Sequence, residues 1–275
     1  MNKKVGVFGL GIIGSIWARH LEADGVLAAS WNRTPKPEAP KWAADPVEAA
    51  RRAEVLIIVL SDPAAVQGLL ERILPELGEG HFVIQSTTID PESSERFEKK
   101  VRAKGARYLE APFTGSKPAA EERKLVYYLG GEPEAISSAG DILELLSEVR
   151  LEIGTTAQAA ALKLSMNLQI AIQAGALSES LHFARAAGIS DEVFFNAMRR
   201  NAAWSGVAAL KEPKLRENDF SPQFSVKHML KDIGLLRGSG NGSTFALAAE
   251  IERALKKTAE NGFAEEDFIA LFKQV

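Results

Sequence analysis

Lys4-Val5-Gly6-Val7-Phe8-Gly9-Leu10-Gly11-Ile12-Ile13-Gly14 sets a short apolar run directly against glycines in the spacing G-x-G-x-x-G. The run has the character of a central parallel strand, and Ile16 to Leu21 beyond it reads as a helix. In that setting each glycine has its own task. Gly9 allows a tight turn, Gly11 lets backbone approach a pyrophosphate, and Gly14 lets helix pack on strand. Leu10, Ile12 and Ile13 complete the same expected cofactor-binding stretch. Glycine-rich turns also arise for packing alone; the strand before, the helix after and a second strand beyond give this one a dinucleotide-binding reading.

That second strand, Val26 to Trp31, ends in Asn32-Arg33-Thr34. An acidic residue here would hydrogen-bond a ribose 2′-hydroxyl and repel a 2′-phosphate. An amide, a guanidinium and a hydroxyl stand in its place, and all three can donate to phosphate, so NADP is expected over NAD. Arg33 as an ordinary exposed loop residue is the alternative. After the proline-spaced loop Pro35 to Pro40, strands are expected at Val55–Leu60, His81–Gln85 and Ala106–Glu110. Asp62-Pro63 and Asp90-Pro91 read as helix starts. Ligands of an open parallel sheet lie beyond strand carboxyl ends, which places Leu60, Ser61, Ser86 and Thr87 toward the cofactor. Capping or turn formation explains any single one of them equally well.

Ala111 to Pro118, APFTGSKP, follows the next strand end. Its hydroxyls and glycine can offer donors to a carboxylate, or it is a proline-bounded turn. Leu125–Gly130 and Val149–Ile153 read as closing strands around a helix from about Glu134 to Ser147. The sheet domain therefore ends near Gly154.

Ala157 to Glu179, AQAAALKLSMNLQIAIQAGALSE, is almost wholly apolar or small, lacks proline and is too long for a strand, so it reads as a helix. Lys163 and Asn167 lie one turn apart on one face of it. From the helix alone, Lys163 either snorkels to water or is held for chemistry. Beyond it strand signals stop. Asp191 opens a helix with Val193, Phe194 and Met198, Glu212 to Gln223 reads as a polar loop, Phe224 to Ile233 begins another helix, and Ser243 and Asp267 lie near two further starts. Alternating strands and helices followed by helices alone predict an α/β Rossmann domain over 1–154, a long interdomain helix, and an all-α domain over 155–275, with a substrate cleft at the hinge.

Composition narrows the function classes. The 275 residues are 46% hydrophobic and 25% charged, which are globular values. A net charge of −3 with scattered basic residues gives no support for nucleic-acid binding. Cysteine is absent, which excludes disulfides, a thiol nucleophile and a thiolate metal site, and no metal is expected. Lys163, Asn167, Gln169 and Gln173 would be costly in lipid, so the long helix is not read as a membrane span. The expected setting is cytoplasmic, with a small carboxylate substrate and copies of the chain itself, as homodimer or homotetramer, for partners.

Taken in order, GLGIIG, WNRT, LSDP, QSTTIDP, EAPFTGSKPA, Lys163 with Asn167, and FSVKHMLKD resemble the β-hydroxyacid dehydrogenases over nearly the whole chain. WNRT, TGSKPA and KHxxKD lean toward the NADPH-dependent glyoxylate/succinic semialdehyde reductase branch. The resemblance implies reduction of a carboxylate-bearing aldehyde with Lys163 as general acid and Asn167 positioning substrate and lysine. It further implies Thr114, Gly115 and Ser116 at the substrate carboxylate, Lys231 near both cofactor and substrate, and Thr87 on the cofactor. Oxidation of a 3-hydroxy acid, imine reduction, and a silent nucleotide-binding scaffold are the alternatives; the lysine disfavours imine reduction, and Lys163, Asn167 and Lys231 together argue against silence. Two departures stand out. Ala157 and Ala159 replace glycines usual in the family, and Glu121-Glu122-Arg123-Lys124 is more charged than the usual acidic-glycine pair.

Overall fold

The computed structural model describes residues 3–240 and 244–274. The chain divides into two compact units, Met1–Lys163 and Leu164–Val275, and the division falls inside a long helix. In the first unit β1 (Val5–Phe8) and α1 (Ile12–Ala23) are followed by β2 (Leu27–Trp31), α2 (Pro46–Arg52), β3 (Val55–Ile58) and α3 (Pro63–Ile73). Then come β4 (Phe82–Gln85), α4 (Pro91–Arg102), β5 (Arg107–Glu110), β6 (Phe113–Thr114), α5 (Lys117–Glu121), β7 (Leu125–Gly130), α6 (Pro133–Glu144) and β8 (Ser147–Gly154). The long helix α7 (Thr156–Ala186) follows.

The sheet has the order β2-β1-β3-β4-β5-β7-β6, with β8 also on β7. β1 to β5 are parallel. At the far edge the sheet becomes mixed: β7 runs antiparallel to β5 and β6 and parallel to β8. A parallel return needs a crossover of about a dozen residues, usually a helix. The chain between β5 and β7 is spent instead on β6 and the short α5.

Side-chain alternation sorts the strands between two cores. Val5, Val7, Val55, Ile57, Phe82, Ile84 and Leu109 pack with Trp17 and Leu21 of α1 and Ile142 and Leu143 of α6. Phe8, Leu56, Ile58, Val83 and Tyr108 pack with Val66 and Leu70 of α3 and Phe97 and Val101 of α4. Burial on both faces explains why the strands read as continuous apolar runs. Three helices start the same way: Asp45, Asp62 and Asp90 each cap a helix whose first residue is proline, accepting from the amides of Val47, Ala65 and Ser93. Each such cap contributes about 1 kcal/mol.

Glu110, at the end of β5, is fully buried. It accepts from Gln85 Nε2 at 2.7 Å, Ser94 Oγ at 2.7 Å and Tyr108 OH at 2.8 Å. Loss of hydration without a cation pushes its carboxyl up to about 8, although the three donors oppose the rise.

The second unit holds the rest of α7 with α8 (Asp191–Met198), α9 (Gly206–Glu217), α10 (Val226–Gly238) and α11 (Ala246–Thr258), then a tight helical turn at Phe268–Gln274. Leu164, Leu177, Leu181, Phe195, Met229, Ile233, Leu255 and Ile269 belong to its core. The start at Asp191 is as expected, with Ser190 capping it. Ser243 lies outside the described residues.

The polar loop expected over Glu212 to Gln223 is corrected: α9 runs to Glu217 with Pro213 inside it, and the chain turns only at Asn218, φ 56°. Lys211, Glu212 and Lys214 of this helix are buried, and each is satisfied there. Lys211 Nζ lies 2.8 Å from Asp267 Oδ1 and 4.3 Å from the Phe268 ring centroid. Glu212 accepts from Arg199 and Arg216, and Lys214 reaches Asp219 and the Ser221 carbonyl. Asp267 also takes the amides of Gln223 and Ile269, so one carboxylate joins α9, the 220–225 segment and the carboxyl-terminal turn. Other corrections are smaller. The helix α2 went unread, β3 stops two residues short of Leu60, and Phe113-Thr114 is a strand rather than part of a turn, because it pairs with Tyr127 and Val126.

Two measurements check these accounts. Lys211→Met leaves the buried Asp267 charge without its cation and should lower stability by about 3 kcal/mol or more in urea unfolding. For Glu110, unfolding between pH 4.5 and 8 releases a proton that the native carboxyl holds, so this group's contribution to stability is lost as pH rises across that window. Glu110→Gln should flatten the loss, by up to about 1.4 kcal/mol per pH unit.

Candidate functional site

In the first unit the strand carboxyl ends are joined like steps. Gly9 N donates to Trp31 O, Val59 N to Phe8 O, Ser86 N to Ile58 O and Ala111 N to Gln85 O, all at 2.7–2.9 Å. Gly9 takes φ 112°, and a methyl there would lie 2.0 Å from the Val59 carbonyl oxygen. A methyl on Gly14 would lie 1.9 Å from Gly9 O. Gly11 differs: it is exposed, and a methyl would meet nothing within 4 Å. Gly9 and Gly14 are thus demanded by packing, and Gly11 leaves open ground in front of the first amides of α1, which no side chain caps. Unfilled amides at a helix start suit a pyrophosphate, so the cradle fits a dinucleotide. Ile12 is exposed at this rim, Ile13 is half-buried and Leu10 is buried.

At the end of β2 the Asn32 side chain is spent on the loop itself. Its Oδ1 accepts from Leu10 N at 2.9 Å and its Nδ2 donates to Thr34 O. Arg33 and Thr34 are exposed. Sequence reading missed Lys36, whose Nζ donates to Leu10 O at 2.7 Å. Its signal was its setting between Pro35 and Pro37, which stiffens the backbone carrying it. Arg33 and Lys36 therefore both lie in the loop that follows this strand.

At the ends of β3 and β4, Leu60 and Ser61 are half-exposed, while Ser86 and Thr87 are 2% and 1% exposed. Ser61 Oγ donates to the capping Asp62. Thr87 Oγ1 lies beneath the rim and accepts from Leu60 N at 2.9 Å. Beyond β5, Thr114 and Ser116 are half-buried and Gly115 is exposed at φ 122°, with room for a methyl only 2.7 Å from a Leu125 side-chain carbon. The charged segment after α5 also has a place in the fold. Arg123 adopts φ 59° and forms a two-pronged pair with Asp24, and it donates to Leu145 O.

Lys163 ends the first unit and is 9% exposed. One turn earlier on α7, Ala159 is fully buried; a methyl on Gly130 would lie 2.7 Å from the Ala159 Cβ and 2.3 Å from Thr155 O. The first turn of α7 is thereby seated on the end of β7, and both Ala157 and Ala159 are helical. In the second unit Asn167 of α7 donates to Asp232 of α10 at 2.5 Å, and Lys231 pairs with Asp232 at 2.7 Å. Asn167 and Lys231 are thus drawn together through the Asp232 carboxylate, a residue without a chemical signal of its own in the sequence. Among the described residues no cluster of histidine and carboxylate side chains is arranged for a metal, and no helix is long and apolar enough to cross a membrane.

Residues 4–156 match the family described as the NAD binding domain of 6-phosphogluconate dehydrogenase, and residues 157–275 match the NAD-binding domain of NADP-dependent 3-hydroxyisobutyrate dehydrogenase. Glyoxylate/succinic semialdehyde reductase 1 of Arabidopsis thaliana is 27% identical, over 99% of this chain and 98% of its own. The chloroplastic reductase 2 of the same plant is 25% identical, over 98% and 78%. The fold is shared with 3-hydroxyisobutyrate dehydrogenase of Mycobacterium tuberculosis, solved with L-serine, at TM-score 0.90 and 22% identity over 100% and 99% of the two chains. With a glycine cradle built for a dinucleotide, an α/β unit followed by helices, and both halves matched in order, the chain belongs to the 3-hydroxyisobutyrate dehydrogenase-like family of NAD(P)-dependent oxidoreductases.

Proposed function

We propose that the chain reduces a small aldehyde bearing a carboxylate, of the glyoxylate or succinic semialdehyde kind, using NADPH, with Lys163 as general acid. The observation that carries this reading is Lys163 itself, an ammonium on the apolar helix α7, nearly buried and one turn from an asparagine that is anchored by Asp232. A lysine carried out to water has no need of such a neighbour.

The proposed roles follow from donor chemistry. Lys163 donates a hydrogen bond to the carbonyl oxygen and then its proton as the alkoxide forms. Asn167, fixed by Asp232, orients the reacting group, and Lys231 adds positive charge beside it. Thr114, Gly115 and Ser116 offer two hydroxyls and a backbone amide to the carboxylate. Bound NADPH supplies the hydride. The exposed α1 amides take its pyrophosphate, and Arg33 with Lys36 takes the 2′-phosphate, for which the lack of an acidic residue at the end of β2 is the support. A homodimer or homotetramer in the cytoplasm completes the reading. Exposed Phe183, Val193 and Leu247 in the helical unit support self-association.

Lys163→Ala should lower turnover by at least about a hundredfold while the NADPH dissociation constant stays within a few-fold. Unchanged turnover would remove the acid from Lys163. Arg33→Asp and Lys36→Ala should each raise the KM for NADPH more than that for NADH, and a wild-type preference for NADH would refute the 2′-phosphate assignment. NADPH oxidation assayed over glyoxylate, succinic semialdehyde, tartronate semialdehyde and cyclic imines tests the substrate class, and turnover of the imines alone would overturn it.

A further inference from the structure

Leu60 and Ser61 form a half-exposed rim at the end of β3, one residue beyond the step where Val59 N still donates to Phe8 O. The Leu60 amide has left that ladder and is caught by Thr87 Oγ1. Thr87 is in turn gripped by one side chain at both backbone groups. Its N–H donates to Gln85 Oε1 at 2.6 Å, and its carbonyl accepts from Gln85 Nε2 at 2.9 Å. The second hydrogen of Gln85 Nε2 goes to Glu110. The nitrogen faces two acceptors and the oxygen one donor, so only one orientation of the amide satisfies the set. Glu110 enforces that orientation and is held by Ser94 of α4 and Tyr108 of β5.

Gln85 and Glu110 are both fully buried and touch no rim surface themselves. An apolar pair at these positions would avoid the cost of burying an amide and a carboxyl. What the polar pair supplies is a fixed direction for two residues past the end of the β4 ladder. The position of that loop matters if the dinucleotide lies as proposed. Its adenosine phosphate would sit at the end of β2 and its pyrophosphate at the glycine loop after β1, so the remaining half crosses the ends of β3 and β4.

We propose that Gln85 and Glu110 are positioning residues for the cofactor, acting through Thr87 to set the Leu60–Ser61 wall against its nicotinamide half. The assignment rests on the dinucleotide reading above and adds residues that do not themselves touch the ligand.

The test is NADPH titration by fluorescence on the full chain, with thermal midpoints measured in parallel. Gln85→Leu should raise the dissociation constant about tenfold, the equivalent of one lost hydrogen bond. Glu110→Leu should move it in the same direction, and the double variant should be no weaker than Gln85→Leu, because Glu110 acts through Gln85. Glu110→Gln keeps an acceptor and the shape, and should bind within about twofold of wild type. Lowered midpoints with unchanged dissociation constants in all variants would show a merely structural network and overturn the proposal. If the leucine variants do not fold, Thr87→Val against Thr87→Ser carries the same question: valine lacks the acceptor for Leu60 N and should weaken binding, serine keeps it, and equal affinities overturn the assignment. Wild-type protein that binds neither NADPH nor NADH would overturn the cofactor reading itself, and this assignment with it.

Discussion

Between Gly9, Gly14 and the Val59 carbonyl there is no room for a single methyl group. That close approach brings α1 down onto β1 and β3 and forces the chain to leave β1 through a left-handed turn that only glycine adopts cheaply. Much else depends on it. The amides of the α1 start face outward because the helix begins immediately after the turn, and Asn32 and Lys36 can brace Leu10 because the loop is held at that distance from β2. The same packing that satisfies the fold leaves Gly11 standing clear, where a phosphate can approach.

The protein meets the cost of buried carboxyl groups in different ways. Asp267 is given a full cation, Lys211, and backbone amides from two segments, so that removing either charge strands the other. Glu110 is given only neutral donors, and its proton is correspondingly hard to remove. Asp232 has Lys231 on one side and the Asn167 amide on the other. The first arrangement holds the helical unit together. In the second, the buried carboxyl directs an amide, and in the third the carboxylate fixes the residue one turn from Lys163.

Ala159 shows how a departure from a family pattern becomes a packing statement. As a sequence feature it is a better helix former than glycine. In the fold its methyl rests on Gly130, at the end of β7, where an added methyl would lie 2.7 Å from the Ala159 Cβ. Lys163 follows one turn later on the same face, so the seat of the helix and the placing of the lysine are one problem. Arg123 is a parallel case: a charged residue at φ 59°, where glycine would be free of strain, is held by Asp24 and the Leu145 carbonyl.

The glycine spacing, the buried parallel strands, the helix starts at Asp62-Pro63 and Asp90-Pro91 and the apolar span of α7 were all legible from the sequence, because each rests on contacts between residues close in the chain or on a short repeat of apolar positions. So were Lys163, Asn167 and Arg33 as candidates, since an ammonium on an apolar helix and a guanidinium at a strand end stand out locally. The direction of β7, the helix through Pro213, and the partnership of Gln85 with Glu110 were not legible. Each is decided by groups far apart in sequence: Lys211 is spaced by α10 and α11 from Asp267, and Gln85 is separated from Glu110 by all of α4. A run of polar residues reads as solvated until the fold shows which opposite charge it meets, and burial turns from a cost to a constraint only once that partner is in place.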